Sequence, residues 1–107
     1  MPTLYRIALN SPPDDWDFSS QRARGEPGPE DDDLAVALWT GVSVWATETQ
    51  ARNKARDFPY LGPYIARLDL PEGPTIPRAR TLGSAGHHTV WSTPANLHGC
   101  VRQTVNV

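Results

Sequence analysis

Arg6, Ser43, Trp45 and the adjacent pair His87-His88 are the residues of this 107-residue chain whose types and neighbours could do chemistry. Arg6 stands in the run TLYRIAL, flanked at period-two spacing by Leu4 and Ala8. An arginine on an apolar strand face must meet an anion or bear a desolvation penalty. Two readings stay open. The guanidinium is held for a ligand carboxylate or phosphate, or it snorkels from an edge strand or joins an ion pair. Ser43 and Trp45 alternate with Val42, Val44 and Ala46 in GVSVWAT, beside Thr47 and Glu48. His87-His88-Thr89 follows the glycine-bearing run LGSAG. Imidazoles change charge near neutral pH and can work as acid or base. A solvated or hydrogen-bonded turn is the plainer use of the pair. Two neighbours on a strand face opposite ways, so both rarely serve one metal ion. A histidine-based metal hydrolase would also need His98 and a carboxylate, and no ligand spacing supports that set.

Other chemistry is excluded by pattern. No Gly-x-Ser-x-Gly surrounds Ser43, which argues against Ser–His hydrolysis, and neither a Walker loop nor a dinucleotide fingerprint is present. Ten Lys+Arg against twelve Asp+Glu leave a formal charge of −2, so no field of one sign recruits nucleic acid or a membrane. The single cysteine, Cys100, rules out an internal disulfide and a cysteine-based zinc site. No apolar run approaches the roughly 20 residues that span a bilayer, and the N-terminal MPTLYRIALN lacks the pattern of a signal peptide. A cytoplasmic protein is expected.

These residues need elements to position them. Eleven prolines and eight glycines predict short elements and rigid turns. Residues 3–9 read as a strand. Residues 14–24 are ambiguous, with Ser11 and Pro12 as a candidate helix start and Trp16, Ser20 and Ala23 on one face. Residues 25–33, GEPGPEDDD, read as a flexible acidic loop whose Asp31–Asp33 end complements the dipole of a helix over 34–39. The central stretch, 41–56, is a strand running into a helix, with Thr47 as N-cap, Gln50 at capping-box spacing and a stripe of Ala51, Ala55 and Phe58. Pro59 ends it. Residues 60–63 form a loop and 64–70 a second clear strand. Residues 75–80 make an edge segment, because Pro74 and Pro77 cannot sit in a central strand. Residues 87–92 form a strand, 94–99 a short helix begun by Pro94, and 101–107 a last strand. Five or six short strands with a few helices make a single α+β domain over residues 1–107.

In order, LYR, GVSVWAT running into TETQARNKAR, YIARLDL and HHTVWSTPANL resemble the small ADP-ribosyltransferase fold. Within it they look most like the RNA 2′-phosphotransferase branch. That branch places a first-strand arginine after Leu-Tyr, as Arg6 is placed here. Gly41, Val42 and the helix 51–56 match its central strand and helix. Val90, Trp91, Thr93 and Pro94 match its late strand and turn. Ser43 stands where the branch carries a histidine, and His87-His88 where it carries an arginine.

The resemblance implies a mixed, mostly antiparallel, split sheet, with NAD bound as a substrate that loses nicotinamide through an oxocarbenium-like state. It implies a nucleotide contact for Arg6, and stacking or pinning of nicotinamide by Trp45 or Tyr64. Ser43 would bond the ribose or carboxamide, and His87 or His88 would touch phosphate or act as base. Glu48 and Glu72 are candidates by type for the acid that polarises the ribose. The acceptor would be a protein or an RNA. The alternative is a non-enzymatic relative whose cleft binds another ligand or a protein.

Overall fold

Alternation along the strands decides the layering. In the computed structural model, which describes residues 2–29, 33–73, 75–81 and 85–107, six strands form one sheet. They are β1 (Thr3–Ala8), β2 (Val42–Trp45), β3 (Tyr64–Asp69), β4 (Arg78–Arg80), β5 (His87–Val90) and β6 (Val101–Asn106). The spatial order is β4-β5-β2-β1-β3-β6. All five pairings are antiparallel, so the parallel part of the expected mixed sheet is not found. Leu4, Val42, Val44, Leu68 and Val90 build a core with Phe18, Leu70, Ile76, Leu97 and Cys100. Ile7, Trp45 and Ile65 build a second one with Ala51 and Ala55. Period-two side chains feed two cores on opposite sheet faces, as strand geometry requires.

Three helices, α1 (Asp33–Trp39), α2 (Glu48–Asp57) and α3 (Pro94–His98), complete this small α+β domain. Thr47 caps α2, its side chain accepting from the Gln50 backbone N–H. Thr93 caps α3 in the same way through the Asn96 N–H. Only half of the expected capping box forms, because the Gln50 side-chain oxygen bonds nothing. Phe58 falls beyond the last turn of α2 and is 40 % exposed, so it leaves the expected stripe. Pro59 then opens a 3₁₀ turn, Pro59–Leu61, where a plain loop was expected. None of these helices is long and apolar enough to cross a membrane.

The ambiguous stretch 14–24 is not a helix. It holds one 3₁₀ turn, Trp16–Phe18, followed by turns. The buried Asp17 carboxylate explains this: it accepts from the Leu9 N–H at 2.7 Å, the Asp14 N–H at 3.0 Å and the Asn10 side chain at 3.2 Å. Those local bonds satisfy the backbone in a turn rather than a helix. Asp33 lies in the first turn of α1. Asp31, Asp32 and residues 82–84 of the expected glycine loop lie outside the described residues.

The sheet is pinched in its middle. β1 and β3 pair over six registered positions, but β1 and β2 pair only at Tyr5↔Trp45. Beyond that pair the two strands part, and the site described next is built around the fork.

Candidate functional site

Arg6 sits at the fork. Its Nε donates to the Asp17 carbonyl oxygen at 2.7 Å and its Nη1 to the Ser43 carbonyl oxygen at 2.9 Å. The guanidinium therefore bridges β1 to β2 with one side-chain bond, through Ser43, and ties β1 to the Trp16–Phe18 turn with the other. Its Nη2 has no bonding partner among the described residues. Burial, first, and the neighbouring Arg24, second, push its pKa down to about 10, against the pull of Asp17. It stays cationic at neutral pH, and an anion placed beside it would relieve both penalties.

The fork opens into a cleft of about 360 Å³. Ser43, Trp45, His87 and Thr89 reach it because they share one sheet face: Ser43 is opposite Thr89 and Trp45 opposite His87. Arg24 and Lys54 add two further cations, and Tyr60, 76 % exposed, stands at the rim. Among the described residues lining this cleft there is no carboxylate. Trp16 fixes Arg24. Its Nη2 donates to the Trp16 carbonyl oxygen at 2.8 Å, and its guanidinium lies 5.0 Å from the Trp16 ring centre. Its loop is tied to α1 by the Trp39 indole, which donates to the Glu26 carbonyl oxygen at 3.0 Å. The Arg24 Nε is buried without a partner. Lys54 comes from the last turns of α2, its ammonium 4.4 Å from the Phe58 ring centre.

His87 leans on Trp45, ring centres 5.3 Å apart. Burial, then Lys54, His88 and Arg6, hold its pKa below the usual histidine value. The ring is neutral at physiological pH and can accept a proton or a hydrogen bond. A second hollow of about 210 Å³ adjoins the cleft, sharing Arg6, Arg24, Trp45, Tyr60 and Leu61 and adding Asp17 and Glu26. Asp17 is committed to the turn it organises, which leaves Glu26 as the other carboxylate that lines this hollow among the described residues.

The fold thus brings together Arg6, Ser43, Trp45 and His87. It does not bring His88 or Tyr64 to them. His88 faces the other side of β5, next to Val44 and Arg80 in register, and its Nδ1 sits 2.9 Å from the Gly86 carbonyl oxygen. Tyr64 begins β3, paired with Ala8 and Asn106 on the far side of β1. Trp45, expected to stack or pin a ligand ring, is not an open platform; it is 4 % exposed and packs with Ala51 and Ala55 of α2. Glu48 pairs with Arg52 one turn along α2 at 3.4 Å, and neither it nor Glu72 lines the cleft. Arg24, Lys54 and Tyr60 were not singled out from sequence. A helical register would have placed Lys54 one turn from the buried Ala51, but Arg24 owes its position to contacts with Trp16 across an irregular run of turns.

A slightly larger hollow, about 400 Å³, lies beside Cys100, Asp69 and Arg102 and contains none of the expected residues. In comparisons with known proteins, no family model, no curated protein and no solved structure matches this chain.

Proposed function

We propose that the forked cleft binds a nucleotide through its phosphates, with NAD as the substrate of an ADP-ribosyltransferase-like reaction. The observation that carries this reading is the charge of the cleft: Arg6, Arg24 and Lys54 line it without a carboxylate among its described residues. Converging cations in a partly desolvated site favour a multiply charged anion, and arginine suits phosphate geometry. Arg24 and Lys54 hold the diphosphate, while Arg6 supplies field from beneath. Ser43 bonds the ribose.

In the reaction, the glycosidic C–N bond breaks and its electron pair leaves with nicotinamide. The acceptor's nucleophile bonds to the ribose carbon, and His87, neutral at rest, takes the acceptor's proton. Glu26 is the carboxylate that would balance positive charge on the ribose. The test is nicotinamide release from NAD by chromatography, for wild type, Glu26→Gln and Arg24→Gln. Release that falls at least tenfold in both variants supports the transferase reading. NAD binding without release in the wild type leaves a binding module instead.

That second reading has its own support. Two of the Arg6 donors already serve backbone carbonyls, so this residue holds the fork together whether or not a ligand comes.

A further inference from the structure

The hydrogen-bond groups around Trp45 leave a pair unmatched. The Trp45 indole N–H, a donor, and the Gln50 side-chain oxygen, an acceptor, are both buried without a partner. Such orphans are few in folded proteins, and each calls for an explanation. Both residues line one hollow of about 210 Å³, together with Asn53, Lys54, Phe58 and Ala85. The hollow is separate from the cleft proper but touches it through Trp45 and Lys54, which line both. Its volume exceeds that of a single water, about 30 Å³, and two of its walls are aromatic.

We infer that this hollow is a binding subsite for a planar ring whose edge carries an acceptor next to an N–H donor. Adenine has such an edge, and so does an aromatic carboxamide. The ring's acceptor takes the Trp45 N–H, and its N–H donates to the Gln50 oxygen. One flat face lies against Phe58, while the indole meets the ring through its N–H edge. The backbone supports this use of Gln50. Gly86 has φ +73°, and a Cβ there would fall on the Gln50 amide, so the amide lies directly against a residue that has no side chain to displace it. Thr47 holds the Gln50 backbone N–H at 3.1 Å, while the Gln50 side-chain oxygen does not return the capping bond. The inference stands apart from the diphosphate reading, because adenosine and nicotinamide carry no phosphate.

The test follows the four tryptophan indole N–H signals by ¹⁵N-resolved NMR while the protein is titrated with adenosine, and separately with nicotinamide. Trp45→Phe assigns the signal. The expected result is a downfield shift of the Trp45 indole proton with at least one of the two, the responding ligand naming the source of the ring. Gln50→Met, which keeps volume and the capped backbone, should weaken that ligand about tenfold, the loss of one buried hydrogen bond. A Trp45 signal unmoved by millimolar concentrations of both ligands overturns the inference. So does binding that Gln50→Met leaves unchanged while the variant's spectrum stays folded.

Discussion

Arg6 and Ser43 are joined across the fork of the sheet, Nη1 to carbonyl oxygen at 2.9 Å, just past the single Tyr5↔Trp45 pair of β1 and β2. A side chain does there what a backbone ladder does elsewhere, and leaves a gap beside it. Lysine brings one nitrogen where the guanidinium brings Nε and Nη1 to two carbonyls on different elements, so Arg6→Lys should lose about 2 kcal/mol, the worth of one charge-assisted bond. Urea unfolding measures it. A loss within experimental error would mean that the fork closes without the guanidinium.

Asp17 is the second strut. Its carboxylate takes three donors, and its carbonyl oxygen takes the Arg6 Nε. Asp17→Asn keeps the shape but turns an amide NH₂ towards at least one donor. We expect a loss of about 2–3 kcal/mol from the unmatched N–H groups, read by the same unfolding curves. Nucleotide affinity should fall with it, because the seat of Arg6 shifts.

His87 should shape the acid side of the stability curve. Its folded pKa lies below its ordinary value of 6.5. Between the two values the unfolded chain binds a proton that the folded chain refuses. Stability from this residue is therefore full above about pH 7 and falls as pH drops through 6.5. His87→Gln should flatten the melting temperature between pH 7 and pH 5 relative to wild type. Parallel curves would contradict the burial assigned to the ring.

Cys100 is 7 % exposed, and burial pushes its thiol pKa up. Both effects suppress the thiolate. Labelling by a disulfide reagent at pH 8 should run on the order of 100-fold slower than in urea, limited by local opening. Equal rates would show that the wall of the 400 Å³ hollow is open.

Gly62 has φ +139°, and a Cβ there would run into the Ala8 backbone carbonyl. Gly62→Ala should cost about 3 kcal/mol or more, since strain and overlap with unyielding backbone combine. Thermal unfolding checks this. A near-neutral effect would mean that the Pro59–Leu61 turn can move away from β1.

The elements were legible where local chemistry decides them. Thr47 and Thr93 cap their helices through the expected N–H groups, and period-two runs mark β1, β2, β3, β5 and β6. The stretch 14–24 was not legible as a turn, because Asp17 acts through a carboxylate that sequence alone cannot show to be buried. Of the site, Arg6, Ser43, Trp45 and His87 could be read from spacing, since strand pairing carries them to one place. His88 and Tyr64 could not be sorted out without the register. Arg24 is held by Trp16 within an irregular run of turns, and no periodicity announces it.

The central claim is that the cationic fork binds a dinucleotide. Calorimetric titration of NAD into the folded protein, wild type beside Arg24→Gln, tests it most directly. Arg24 is only partly buried, so its replacement should leave the melting temperature within a few degrees. Losing one charge-assisted phosphate contact, about 1.5–3 kcal/mol, should weaken NAD about 10- to 100-fold. No heat from millimolar NAD with wild type, or equal affinity in Arg24→Gln, would contradict the claim.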